Sequence, residues 1–191
     1  SLIEAAHKKG IRILLDAVIN HTGPITEKDP VWPENWVRTE PVCTYSNYEN
    51  TTACTLAKNL PVIKTESNEN VELPKELIEK WKKEGRYELE MAELDAFFER
   101  TGYPRAPRFY IIKWLSDFVR DFGIDGFRAD TVRHIEEEVW AEFKKECETA
   151  FAAPLTVCGM SWSFKSRKIS ESVTSLTAST PSLPKVRKNS K

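Results

Sequence analysis

An arginine and a carboxylate two residues apart form the most chemically suggestive pair in this chain. Arg128 and Asp130 follow Gly126 in a short apolar stretch. Side chains alternate along a strand, so the two would project from the same face. A guanidinium beside a carboxylate favours the ionised form and fixes its direction. The pair therefore suits a nucleophile better than a proton donor, although an arginine and an aspartate at this spacing are often only a structural ion pair.

A second polar cluster lies at the end of an earlier apolar run. Residues 11–19 are almost continuously apolar or β-branched, and Asp16, Asn20 and His21 lie in or directly after that run. Such a run predicts a parallel strand covered on both faces. In barrel enzymes the functional side chains gather where the strands end, so the two clusters would meet at one edge. Taken alone, an aspartate at a strand end such as Asp16 is usually a turn or capping residue.

The elements that would position these residues follow an α/β order. A first helix ends at Gly10, before the strand over 11–19. Apolar residues at i, i+4, i+7 and i+11 predict a helix over 108–122 that ends at Gly123. A short strand over 125–130 follows, and apolar residues at every fourth position predict one more helix. This order is part of a barrel or of a doubly wound sheet.

The segment between the two clusters has a different texture. From 22 to 105 prolines recur and no alternation of strands and helices survives, except for predicted helices over 74–87 and 88–100. A connection of this length predicts an inserted subdomain. Two questions stay open here. The tryptophans at 32, 36 and 81 either stack on sugar rings or pack the subdomain, and Cys43 and Cys54 are close enough in sequence to form a disulfide without requiring one.

Composition excludes some classes of function. The 191 residues include 28 Lys+Arg and 29 Asp+Glu, a net charge of -1, and 40% are hydrophobic. This balance is typical of a globular protein and does not indicate a nucleic-acid or membrane partner. We expect a monomer.

The two polar clusters together resemble the first and second signature regions of the α-amylase family, the retaining α-glucan hydrolases of glycoside hydrolase family 13. A third segment resembles the short signature near the end of the family's inserted domain. In chain order the three segments are Asp16-Ala17-Val18-Ile19-Asn20-His21, Leu60-Pro61-Val62-Ile63-Lys64-Thr65-Glu66-Ser67 and Gly126-Phe127-Arg128-Ala129-Asp130-Thr131-Val132-Arg133-His134.

The resemblance implies a role for each matching position. Asp130 would be the nucleophile that forms the glycosyl-enzyme intermediate, Arg128 would orient it, and Asp16 would hold that arginine. His21 would bind the sugar at the cleavage subsite. Arg133 would meet the sugar on the leaving-group side.

The resemblance also implies a structural calcium ion. Asn20 matches the side-chain calcium ligand of many members. His134 matches the residue whose main-chain carbonyl completes the calcium site, and it also belongs to the expected substrate-binding set. Calcium prefers several oxygen ligands, so the inserted subdomain would have to supply others.

The fold implied by the resemblance is a partial (β/α)8 barrel. Residues 1–21 and 106–150 would carry about its third and fourth strands with flanking helices, around the insertion at 22–105. We expect residues 151–191, rich in Ser, Thr, Lys and Arg, to be disordered or foreign to the fold. The chain is shorter than the roughly 250 residues of such a barrel and starts without Met, so we expect it to be part of a longer protein.

Two departures from the family pattern qualify the expected function. Val62 stands where many relatives have an acidic residue, and no glutamate follows Gly159, where the family has its acid/base. The expected activity is hydrolysis of α-1,4 bonds in starch or maltodextrin by a periplasmic or extracellular enzyme. The alternatives are a non-catalytic fragment with weak glucan binding, or an α-glucosidase or transglycosylase of the same family.

Overall fold

The computed structural model describes residues 1–151 and 156–159. A three-stranded parallel sheet has the order β1-β4-β5, and β2 and β3 form an antiparallel pair inside the insertion. The helices are α1 (Leu2–His7), α2 (Glu49–Thr52), α3 (Lys75–Lys83), α4 (Tyr87–Thr101), α5 (Pro107–Phe122) and α6 (Glu137–Phe151), with a 3-10 turn at Val132–His134. The strands are β1 (Leu14–Ala17), β2 (Val37–Arg38), β3 (Val62–Ile63), β4 (Gly126–Ala129) and β5 (Thr156–Gly159).

The central strand β4 carries the contacts that hold the sheet to its helices. Phe127 is fully buried, and its ring centroid lies 5.0 Å from that of Phe143 on α6. The register places Asp16 of β1 directly opposite Arg128 of β4. Because the strands are parallel, both end at the same edge of the sheet. The predicted α/β order and the predicted meeting of the two polar clusters are therefore confirmed.

One face of β1 is open, contrary to the prediction that both faces are covered. Ala17 and Ile19 are fully buried, whereas Leu14 is 44% exposed and Val18 is 42% exposed. Leu14 and Val18 lie on the same side of the strand as Asp16, since side chains alternate. Within the described residues the helices cover only the opposite side. The prediction was wrong because an apolar run shows that both faces of a strand can be buried. It does not show which elements pack against each face.

The sheet also extends further along the chain than predicted. Strand β5 lies within 151–191, the range assigned to a disordered or foreign tail, and it pairs in parallel with β4. The remainder of that predicted tail, 152–155 and 160–191, lies outside the described residues. Within 1–151 and 156–159, no helix combines the length and apolarity needed to cross a bilayer.

Helix α5 confirms the predicted helix over 108–122 and shows why it has these ends. Pro107 occupies its first turn, where a missing N–H costs nothing. Gly123 ends it with φ +66°, a left-handed conformation that glycine adopts without a Cβ clash. This turn leads the chain directly into β4 and so places Arg128.

The insertion packs on α5 through aromatic side chains. Trp36 is fully buried, its ring centroid lies 5.1 Å from that of Tyr110, and its Nε1 donates to the Glu72 carbonyl at 2.6 Å. Trp81 is buried as well. Packing therefore accounts for these two tryptophans, and the sugar-stacking alternative does not apply to them.

A buried polar network fixes the segment at 60–67 against α5 and α6. Thr65 Oγ1 donates to Glu136 Oε2 at 2.9 Å. Arg108 donates to the Thr65 carbonyl at 3.1 Å and pairs with Glu142 at 3.0 Å. Burial raises the pKa of Glu142, while the Arg108 guanidinium opposes that shift. The signature segment of the insertion is therefore held from two helices.

Replacing the hydroxyl of this network should destabilise the fold. We expect Thr65→Val to lower the free energy of unfolding by about 1–3 kcal/mol, because buried Glu136 loses a hydrogen-bond donor. Thr149→Val is the matched control, since exposed Thr149 donates only to Lys145 of its own helix. Chemical denaturation measures both variants. Equal effects of the two substitutions would contradict the role of the network.

Candidate functional site

Arg128 bridges two carboxylates, Asp16 on β1 and Asp130 directly after β4. Its Nη1 lies 2.6 Å from Asp16 Oδ2, and its Nη2 lies 3.6 Å from Asp130 Oδ1. All three side chains are partly exposed, so the contribution of these pairs to stability is small. Their main effect is geometric, because a guanidinium held at one end by Asp16 presents a fixed pair of donors to Asp130.

Asp130 sits where the strand turns sharply. Its main-chain N–H donates to the Ala17 carbonyl at 3.1 Å, which extends the β1–β4 ladder by one residue. The next residue, Thr131, has φ +48°, a left-handed conformation that is uncommon for a branched side chain. The chain then enters the 3-10 turn. Strained backbone of this kind is concentrated at functional sites, and here it ends the strand immediately after the carboxylate.

His21 lies at the same site. Burial lowers its pKa, and the charge of Asp130 opposes the shift. The Asn20 side-chain amide donates to His21 Nδ1 at 3.3 Å. Since Nδ1 accepts, the neutral ring carries its hydrogen on Nε2. The ring therefore offers an N–H donor from its far nitrogen.

Asn20 is buried against the signature segment of the insertion. Its main-chain carbonyl accepts from the Ile63 N–H at 2.8 Å, and His21 forms an isolated antiparallel bridge with Val62. Among the described residues, no group donates to Asn20 Oδ1, although that atom is buried. The side chain of Val62 is itself buried, so it packs where an acidic residue would have offered an oxygen.

His134 is turned away from solvent and towards the insertion. It is buried, and its Nδ1–H donates to the Thr51 carbonyl at 2.8 Å. Burial lowers its pKa and the charge of Arg133 acts in the same direction, whereas the hydrogen bond to Thr51 opposes the shift. The ring thus fastens residues of the insertion to the 3-10 turn that follows Asp130. A contact of His134 with substrate stays a prediction.

Cys43 and Cys54 form a disulfide, with their Cα atoms 5.0 Å apart. This settles the question that the sequence left open. We call residues 43–54 the disulfide loop. Its sulfurs lie close to His134, yet a bridged pair offers no thiolate and so does not constitute a metal site.

Tyr45 in the disulfide loop was missed by sequence reasoning. The Arg133 guanidinium carbon lies 4.7 Å from the centroid of its ring, and the His134 ring centroid lies 5.8 Å away. Both contacts are to residues far along the chain, so a pattern of neighbours does not reveal them. An aromatic residue two positions after Cys43 was the only signal in the sequence.

Parallel strands that bring an arginine-held carboxylate and a histidine to one edge define an α/β protein with a site at its strand ends. The family model for the α-amylase catalytic domain matches residues 1–156. The chain therefore belongs to the α-amylase family, as its signature segments predicted.

Relatives and solved structures agree with this assignment. The periplasmic α-amylase of Escherichia coli (strain K12) is 29% identical over 78% of this chain and 28% of its own length. The maltogenic α-amylase of Bacillus acidopullulyticus is 27% identical over 84% of this chain and 22% of its own length. The chain thus spans less than a third of the curated relatives it matches.

A solved α-amylase from Geobacillus thermoleovorans, crystallised with acarbose, has a similar fold. Its TM-score is 0.59 at 22% identity, over 89% of this chain and 30% of that one. This likeness supports a relation to the (β/α)8 barrel. The three strands that the structure describes here form an open sheet.

The disulfide should contribute measurably to stability. We expect Cys43→Ser/Cys54→Ser to lower the free energy of unfolding by about 2–3 kcal/mol, because the bridge restricts a short loop in the unfolded chain. Thermal denaturation of the oxidised protein measures this loss. Reducing the wild-type disulfide should give the same midpoint as the double variant, and an unchanged midpoint in both cases would contradict the prediction.

Proposed function

We propose that this chain supplies the nucleophile of a retaining α-glucan hydrolase that acts on α-1,4 bonds of starch or maltodextrin. The single observation that carries the proposal is the bridge from Asp16 through Arg128 to Asp130, at the edge where β1 and β4 end. An arginine-held carboxylate at strand ends suits attack on an anomeric carbon. Family membership supports the reaction type.

Each of the described side chains has a separate role in the proposed reaction. Asp130 attacks the anomeric carbon and forms a glycosyl ester, while the leaving oxygen takes a proton from a second carboxyl group; water then cleaves the ester with that group as base. Arg128 aims the attacking oxygen. The Nε2–H of His21 donates to a sugar hydroxyl, and Arg133 meets the sugar on the leaving-group side.

The second carboxyl group separates two versions of the proposal. Retaining chemistry needs it about 5 Å from the nucleophile. In this chain Gly159 of β5 is followed by Met160 and not by glutamate. This observation favours a second candidate function for the polypeptide as it stands, namely glucan binding without hydrolysis. Reducing-sugar release from maltoheptaose by the purified 191-residue protein would exclude that candidate.

We also propose an exported location. The E. coli relative is named a periplasmic α-amylase, and a disulfide on the insertion suits an oxidising compartment. The choice among α-amylase, α-glucosidase and transglycosylase depends on the products formed from maltoheptaose. Transfer of a glucosyl chain to a second sugar would give products longer than the substrate. Chromatography of the products resolves these longer chains.

Removing the nucleophile should abolish cleavage by the full protein that carries this chain. We expect Asp130→Asn to lower kcat by at least about 10³-fold, since the amide keeps the shape of the side chain but cannot form the ester. Mass spectrometry after treatment with a 5-fluoroglucosyl fluoride should place the covalent sugar on Asp130 in the wild type.

Asp121→Asn is the matched control for this experiment. Asp121 lies on the outer side of α5 and pairs with Arg120 at 2.7 Å, so its replacement should leave kcat within about twofold, as for a surface site. Full activity of Asp130→Asn, or a covalent label on another carboxylate, would refute the nucleophile assignment.

A structural calcium ion is a further part of the proposal. The buried, unpartnered Oδ1 of Asn20 is a hard oxygen donor of the kind calcium prefers, so the residues fit the ion. Asn20 and the main-chain carbonyl of His134 would hold it. The ion would tie the end of β1 to the turn after β4, and so would support the position of Asp130.

Calcium should raise the melting temperature of the protein through Asn20. We expect a rise on the order of 5 °C in millimolar calcium relative to EDTA, if the ion binds the folded state alone. Asn20→Ala should remove the response, whereas Asn20→Asp should keep it. Exposed Asn35→Ala is the control. An equal response in Asn20→Ala and wild type would contradict the assignment.

A further inference from the structure

Tyr45 is held in an unfavourable backbone conformation. Its φ is +59°, in the left-handed region that a bulky residue rarely adopts. The surrounding loop enforces this conformation: the Tyr45 N–H donates to the Asn50 carbonyl at 3.4 Å, and the Cys43–Cys54 bridge closes the loop. Strain that the structure maintains in this way points to a functional constraint.

The Tyr45 side chain contacts the protein but stays partly exposed. Arg133 lies over it at 4.7 Å, and the edge of His134 meets it with an interplanar angle of 70°. The residue is nevertheless 50% exposed. An aromatic residue recruited only for packing would bury its ring, since burial of aromatic area is its main contribution to stability.

The position of Tyr45 places it at the rim of the Asp130 site. Arg133 and His134 follow Asp130 by three and four residues in the 3-10 turn, and the charge of Asp130 acts on the pKa of His134. The disulfide loop is anchored to that turn by the His134–Thr51 hydrogen bond. The loop therefore brings an exposed aromatic ring and a guanidinium together beside the carboxylate.

We infer that Tyr45 is a specificity-determining residue, whose exposed ring and the Arg133 guanidinium bind the glucose unit on the leaving-group side of the cleaved bond. The inference rests on the proposed function of Asp130. The apolar face of a glucose ring packs on the tyrosine, while Arg133 donates to its hydroxyls. The substrate class selected is linear α-1,4-glucan that continues beyond the cleavage point. The disulfide loop is the element that fixes this surface.

Two substrates separate this role from the chemistry itself. Maltoheptaose has glucose units on both sides of the cleaved bond. α-Maltosyl fluoride has only fluoride on the leaving-group side, and fluoride departs without a proton from an acid. We expect Tyr45→Ala, in the full protein, to lower kcat/KM for maltoheptaose about tenfold, the scale of one lost aromatic contact. Hydrolysis of the fluoride should stay within about twofold of wild type.

Three variants control for shape and folding. Tyr45→Phe keeps the ring and should match wild type on both substrates. Tyr48→Ala removes a 57% exposed tyrosine from the same loop and should also match wild type. Cys43→Ser/Cys54→Ser frees the loop and should reproduce the selective loss on maltoheptaose. Melting curves of each variant establish that it is folded.

The outcomes distinguish the two proposals. A wild type that releases not even one equivalent of fluoride from α-maltosyl fluoride refutes the nucleophile role of Asp130, because the ester forms before the second carboxyl group acts as base. Calorimetry of maltoheptaose binding, in the Asp130→Asn background, then decides on Tyr45 alone: about tenfold weaker binding by Tyr45→Ala supports the surface, and unchanged binding overturns it. Equal losses on both substrates, or a loss in Tyr45→Phe as large as in Tyr45→Ala, also overturn it.

Discussion

The guanidinium of Arg128 links two carboxylates that are more than a hundred residues apart in sequence. Asp16 ends up opposite Arg128 because β1 and β4 pair in parallel, and that register depends on the turn at Gly123 and on the burial of Phe127 against α6. A shift of one residue would turn Arg128 to the helix-covered side of the sheet. The site therefore depends on the same packing that stabilises the sheet.

The insertion does more than cover the strand ends. Main-chain hydrogen bonds join its segment at 60–67 to Asn20 and Thr22, on either side of His21, and Thr65 bonds to Glu136, which directly precedes α6. Its disulfide loop meets the turn after Asp130 at a second point. One inserted region thus contacts both polar clusters, so changes in that region are expected to alter the positions of these side chains while leaving the strands unchanged.

One face of the sheet is open, and the chain covers only a fraction of the length of each relative. Leu14 and Val18 are exposed beside Asp16, on the side where a barrel has its interior. The chain spans 28% of the length of the E. coli relative. The described residues include the arrangement around the proposed nucleophile. Because no glutamate follows Gly159, hydrolysis would depend on a second carboxyl group from elsewhere.

Local patterns in the sequence determined the helices over 108–122 and after Asp130, the two main strands, and the pairing of Arg128 with Asp130. They could do so because helical and strand periodicities are properties of neighbouring residues. Matching of the signature segments then identified the family and supplied the residues proposed for the site.

Only the tertiary structure decided the Cys43–Cys54 bridge, the orientation of His134 towards Thr51, the left-handed backbone and exposed side chain of Tyr45, and the open face of β1. Each depends on which distant segments pack together. The backbone of Tyr45, for example, keeps a conformation that its own side chain disfavours, because the loop closure and the turn after Asp130 hold it there. That balance is set by contacts between segments and is invisible to any pattern of neighbours.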